Sequence, residues 1–208
     1  MCADGRVGGG AISSSSEVLR RKLRSDTSGT EEQSVSPVKA ARISLARAAD
    51  KAFELALRVS GIRQSRLDLA DMVEQLNEEW ALFPLLHDDG SVGVMCIEPA
   101  CIVAFVERQT LGHVKDVQGD LRAITRTDKA LAMPFLNRFL RMFDEVLEGA
   151  PTAYWTQGYR AEDAVVTRHL MVLLLDASEY RGFDMKSDII GTSRSVSMRL
   201  FCRSKRET

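Results

Sequence analysis

The sequence predicts an α+β fold in which an antiparallel-rich sheet is covered by two main helices, and three observations carry that expectation. Two amphipathic helical patterns stand next to each other mid-chain, "PACIVAFVERQTLG" and "TRTDKALAMPFLNRFLRMFDEVL". Apolar or alternating runs precede and follow them, and "ALFPLLHDDGSVGVMCIEP" carries a hairpin signal at its "DDG" turn. Grouped strands beside grouped helices, without regular βαβα alternation, favour α+β over a doubly wound parallel sheet.

At 208 residues, with 45% hydrophobic side chains, the chain can supply one core and a tail. Its 28 basic and 29 acidic residues leave a net charge of -1, so no chain-wide field draws nucleic acid or an anionic membrane. Cys2, Cys96, Cys101 and Cys202 lack CxxC spacing and read as reduced thiols. No apolar run reaches the roughly 20 residues of a membrane helix, and the N-terminus lacks a signal-peptide core.

Residues 1–37 are rich in Gly, Ser, Thr and charge and read as a disordered tail, with "SEVLRRKLR" patterned for a short helix over 16–24. The domain is expected over 38–203, followed by a short tail at 204–208. It opens with a helix in "VKAARISLARAADKAFEL", passing into a strand that ends near Gly61; "SRLDLADM" alternates after it. The hairpin strands fall at about 80–86 and 92–97. Pro99 suits a helical first turn and Gly112 closes that helix, while Thr125 and Asp128 cap the next, which runs to Leu147 with a kink expected at Pro134. Its buried stripe is Ala132, Phe135, Leu136, Phe139, Met142, Phe143 and Val146; Lys129, Asn137, Arg138, Arg141, Asp144 and Glu145 face water. The last third reads as strands in "DAVVTRHLMVLLLDASEY", "GFDMKSDII" and "SVSMRLFCR", with Gly182 and Gly191 as turn residues between them.

Little in the sequence points to catalytic chemistry. His87, His113 and His169 flank no HExxH or Cys/His cluster, so no metal site is expected. The "GRVGGG" glycines follow no strand and lead no GK[ST], and "GTSRSVS" lacks the GxSxG frame of a nucleophile elbow. Tyr154, Trp155, Tyr159 and Arg160 in "YWTQGYR" could form a stacking surface, but an aromatic strand covering a core is the commoner use of such residues. No cofactor and no small-molecule substrate is expected.

"IEPACIVAFVERQTLG" followed by "RAITRTDKALAMPFLNRFLRMFDEVL" resembles the middle, CheC-like domain of the flagellar motor switch protein FliM, through Glu98, Pro99, Arg108, Gly112, Arg122, Thr125 and Asp128. The resemblance extends over about residues 40–202. It implies a CheC/FliM-middle-like α/β/α arrangement and a non-enzymatic scaffold of the flagellar cytoplasmic ring, peripheral to the inner membrane at the basal body. The implied partners are FliG-like and FliN-like switch proteins and neighbouring copies, with Thr110, Leu111, Gly112 and His113 as the FliG-facing loop.

Three departures accompany the resemblance. The family's Gly-Gly-x-Gly loop is reduced to Gly112; "SEVLRRKLR" is basic where the family's CheY-capturing peptide is acidic and apolar; and the strands of a SpoA domain are not seen before Thr208. Two alternatives accompany the scaffold reading: a type III secretion ring component, and a CheC-type phosphatase of phosphorylated CheY. The phosphatase pattern of that family sets an acidic or Ser residue four before a Glu and an Asn three after it; Glu74 and Asn77 fit its second half, but position 70 is Ala70 and the segment lies outside the main helices, while Asn137 is preceded at that spacing by Pro134.

Overall fold

Ser36 begins the fold by accepting a hydrogen bond from the Lys39 amide, and Pro37 fills the first turn of helix α1, Pro37–Phe53. The computed structural model describes residues 35–116, 122–153, 157–162 and 166–204; the expected helix at 16–24 and the aromatics Tyr154 and Trp155 lie outside them. Val35, ahead of the expected boundary, already packs against the core.

Strand β1, Leu57–Asp68, is followed by the short helix α2, Leu69–Glu74, then by strands β2, Ala81–His87, and β3, Val92–Ile97. Helices α3, Pro99–Leu111, and α4, Arg126–Leu147, come next. The chain closes with β4, Tyr159–Ala161, helix α5, Arg168–Leu174, and strands β5, Glu179–Ile189, and β6, Ser195–Arg203. The six strands form one sheet in the order β1-β5-β6-β3-β2-β4, and every neighbouring pair is antiparallel.

Because side chains alternate along a strand, the sheet supplies two cores. Phe83, Met95, Phe183, Met198 and Leu200 point to one face, where they meet α1, α3 and α4. Leu82, Val94, Cys96, Tyr180 and Phe201 point to the other, where α2 and α5 bring Met72 and Met171. The larger layer thus holds three long helices, one more than the two main helices expected, since α1 packs beside α4.

Several expectations are corrected. β1 continues through Gly61, where the register shifts in a bulge, because pairing with β5 supplies ladder bonds as far as Asp68. Beyond it, 69–74 is helical: the Asp68 carboxylate accepts from the Asp71 amide and starts a turn. "RHLMVLL" is a helix and not a strand, capped by Thr167 and held by Arg168, which donates to the carbonyls of Leu76 and Val73 at 3.0 and 3.1 Å. Gly182 is no turn; it lies inside β5, where a Cβ would come within 2.8 Å of Ser65 Oγ and 3.0 Å of the Phe201 ring.

On α4, Leu140 and Leu147 are buried with the expected phenylalanines, whereas Met142 and Val146 sit at the margin of the stripe. Asp144 does not face water. It is partly buried against Gly158, and burial also pushes the Lys129 ammonium below its usual range. The helix runs unbroken across Pro134, which is exposed on its outer side. Gln109 of α3 donates to the carbonyl of Leu131, next to the gap that the proline leaves in the helical bonding. Tyr159 is buried on β4, as a core-covering aromatic should be.

Candidate partner-docking site

Helix α3 starts at the end of the sheet where β1 begins, β3 ends and β5 turns into β6. Its start is fixed by Glu98, whose amide donates to the Ser197 carbonyl and whose carboxylate accepts from the Ser197 amide at 2.8 Å. Its finish is Gly112, at φ 77°, a left-handed closure that glycine adopts at no steric cost.

Arg108, in the last turn of α3, joins two helix ends. Its Nε donates to the Phe53 carbonyl at 2.9 Å and its Nη2 pairs with Glu54 at 3.1 Å, both at the end of α1. Its Nη1 donates to the carbonyl of Gly112. Carbonyls at a helix C-terminus carry partial negative charge, so one guanidinium satisfies the ends of both helices.

The four residues expected to face a partner divide in their roles. Thr110 turns its hydroxyl back onto the Val106 carbonyl at 2.7 Å, so it serves the helix. Leu111 is 49% exposed, an apolar side chain presented at the helix end. Gly112 makes the turn, and His113 is exposed with Nδ1 3.2 Å from the Leu111 carbonyl.

Past His113 the chain folds back and is tied down by residues that no local sequence signal marks. The Arg194 side chain, only 3% exposed, pairs with Glu107 at 2.7 Å and donates to the carbonyls of Ala100 and Lys115. Glu107 also accepts from the Lys115 amide, and Asp116 accepts from the Ser193 amide at 2.7 Å. Loop and β5–β6 turn therefore form one braced unit.

Elsewhere the chemistry is sparse. The three histidines sit on separate elements, and no cluster of metal-ligating side chains occurs among the described residues. Burial pushes the Cys96 thiol up to about 12, and those of Cys101 and Cys202 upward too, so none supplies a thiolate near neutrality. A cleft of about 480 Å³ lies between Asn137, Arg141 and Asp144 of α4 and the strand β4. Asn77, half of the phosphatase-like pair, spends its side-chain oxygen on the Glu79 amide at 2.9 Å. Among the described residues no helix is long and apolar enough to cross a membrane.

A chain of the FliG–FliM complex from H. pylori superposes with a TM-score of 0.61 at 14% identity, covering 88% of this chain and 93% of that one. The fold is that of the FliM middle domain. FliY from Thermotoga maritima gives a TM-score of 0.58 at 10% identity, over 85% of this chain and 92% of its own. The FliM middle domain from Vibrio alginolyticus gives 0.56 at 10% identity, over 80% and 92%. No family sequence profile and no curated protein matches the chain. Its likeness to FliM and FliY therefore resides in the three-layer architecture, as the order of helix and strand motifs implied.

Proposed function

We propose that this FliM-like chain is a non-enzymatic scaffold module of the flagellar motor switch. In this reading it sits in the cytoplasmic ring at the basal body, linking a FliG-like protein to FliN-like proteins and to neighbouring copies, and passing on chemotaxis-controlled switching. The observation that carries the proposal is Leu111, half exposed on a left-handed turn whose flanks are braced by Arg108 and Arg194. An apolar side chain on a rigid mount loses little entropy on binding and so suits protein recognition. The similar H. pylori chain comes from a complex of FliG with FliM, which supports the choice of partner.

A phosphatase reading finds less support. Asn137 is exposed on α4, but Pro134 stands where the carboxylate would be needed, and Asn77 is engaged by the Glu79 amide.

The test is a pull-down of purified full-length chain with FliG from the same organism. Leu111→Ser and His113→Ala are expected to weaken capture while leaving the melting midpoint unchanged. Full capture by both folded variants would remove the loop assignment. Deletion of the gene in the source organism should abolish or bias flagellar rotation; normal motility with lost protein secretion would favour the type III ring instead.

A further inference from the structure

We infer that the partner surface extends beyond the α3 loop to the β5–β6 turn, with Ile190 as its second apolar anchor. The inference rests on the docking role proposed for Leu111 and deepens it.

The backbone of this turn is held at several points. Ile189 and Arg194 close it through the Ile189 amide and the Arg194 carbonyl at 2.9 Å, and Thr192 returns both amide and hydroxyl to the Ile189 carbonyl. Gly191 supplies the left-handed residue at φ 87°, and the Ile190 amide donates to the Ala56 carbonyl at 3.0 Å. The Ile190 side chain is nevertheless 60% exposed. Tight turns ordinarily place polar residues or glycine at such a position, and a β-branched apolar side chain left this exposed gains little from folding.

A single exposed isoleucine would need no explanation. This one belongs to the element that braces the Leu111 loop, because Ser193 bonds to Asp116 through both its amide and its hydroxyl, and Arg194 holds Glu107 and Lys115. Two apolar prongs thus stand on one rigid mount.

Three ion pairs near this surface are internal to the chain: Arg108 with Glu54, Arg194 with Glu107, and Arg58 with Asp188. The occupant that this surface fits is an apolar patch of the FliG-like partner, not a charged one.

Titration calorimetry of the full chain against purified FliG from the same organism tests this, with Leu111→Ser and Ile190→Ser measured side by side. Each is expected to weaken binding by about tenfold or more, as for an apolar anchor, with an unchanged melting midpoint. Should the serine variant melt lower, Ile190→Thr keeps the branched shape and replaces it. Loss of binding in Leu111→Ser with full binding in Ile190→Ser overturns the extension and leaves the docking role of the loop intact. Full binding by both variants overturns the loop assignment as well, and weakening by Ile190→Ser alone refutes the shared surface by moving the contact to the turn.

Discussion

Arg122 grips both carboxylate oxygens of Asp128, at 2.6 and 2.7 Å, where α4 begins. The same carboxylate accepts from the Thr125 amide and hydroxyl, while the Thr125 hydroxyl accepts from the Asp128 amide, so a capping box and a bidentate ion pair share one buried acid. Asp is shorter than the usual Glu of such a box, and the arginine closes the remaining valences.

The Asp128 carboxyl is held well below the usual carboxylate range, first by the Arg122 hydrogen bonds and then, against the cost of burial, by Thr125. A depressed folded-state pKa contributes stability that is complete above the unfolded value near 4 and is lost as pH falls below it. Asp128→Ala is expected to cost about 1–2 kcal/mol at neutral pH. Denaturant midpoints should show the wild type losing its advantage over the variant below about pH 4.

Asp144 has the opposite sign. Burial raises its carboxyl to about 6, the Gly158 amide and His87 pulling the other way. A folded-state value above the unfolded one means the native protein holds the proton more tightly, so this group's contribution falls as pH rises from about 4 through 6. Asp144→Asn keeps an acceptor for the Gly158 amide without the buried charge. It is expected to be more stable than wild type at pH 7.5 by about 1 kcal/mol, once solvent screening is allowed for, and to lose that advantage near pH 4. Melting midpoints of both proteins at the two pH values check this.

Six phenylalanines run in an unbroken series through the larger core: Phe53, Phe105, Phe135, Phe139, Phe143 and Phe183, with successive centroids 4.9, 4.9, 6.1, 5.7 and 5.7 Å apart. Phe139 is fully buried in the middle of it. Phe139→Ala is expected to cost about 3–5 kcal/mol by transfer and cavity formation. Chemical denaturation should show that loss as a lowered midpoint.

Much of this fold could be read locally. The Thr125 cap, the closing Gly112 and the "DDG" hairpin depend on hydrogen bonds within a few residues, and each stands where its pattern placed it. The failures were long-range. "RHLMVLL" has the apolar density of a strand, and only Arg168 bonding to carbonyls more than 90 residues away, with Met171 in the second core, makes it a helix. Gly182 looked like a turn because the close approach of Ser65 and Phe201 that requires it comes from two other strands.

For the proposed docking site, the resemblance to FliM pointed to the loop at 110–113 and to Arg108, and the structure places both at one helix end. Sequence could not tell that Thr110 is spent on its own helix while Leu111 is presented, because exposure depends on what packs around the helix. Nor could it join Ile190 to that loop, some 80 residues earlier. The buried pairing of Arg194 with Glu107 exists only once β6 has been laid beside β3, which brings the β5–β6 turn to α3. Local hydrogen bonding and side-chain period determined the elements, and the tertiary structure decided which surfaces they share, because burial and charge pairing are properties of distant segments brought together.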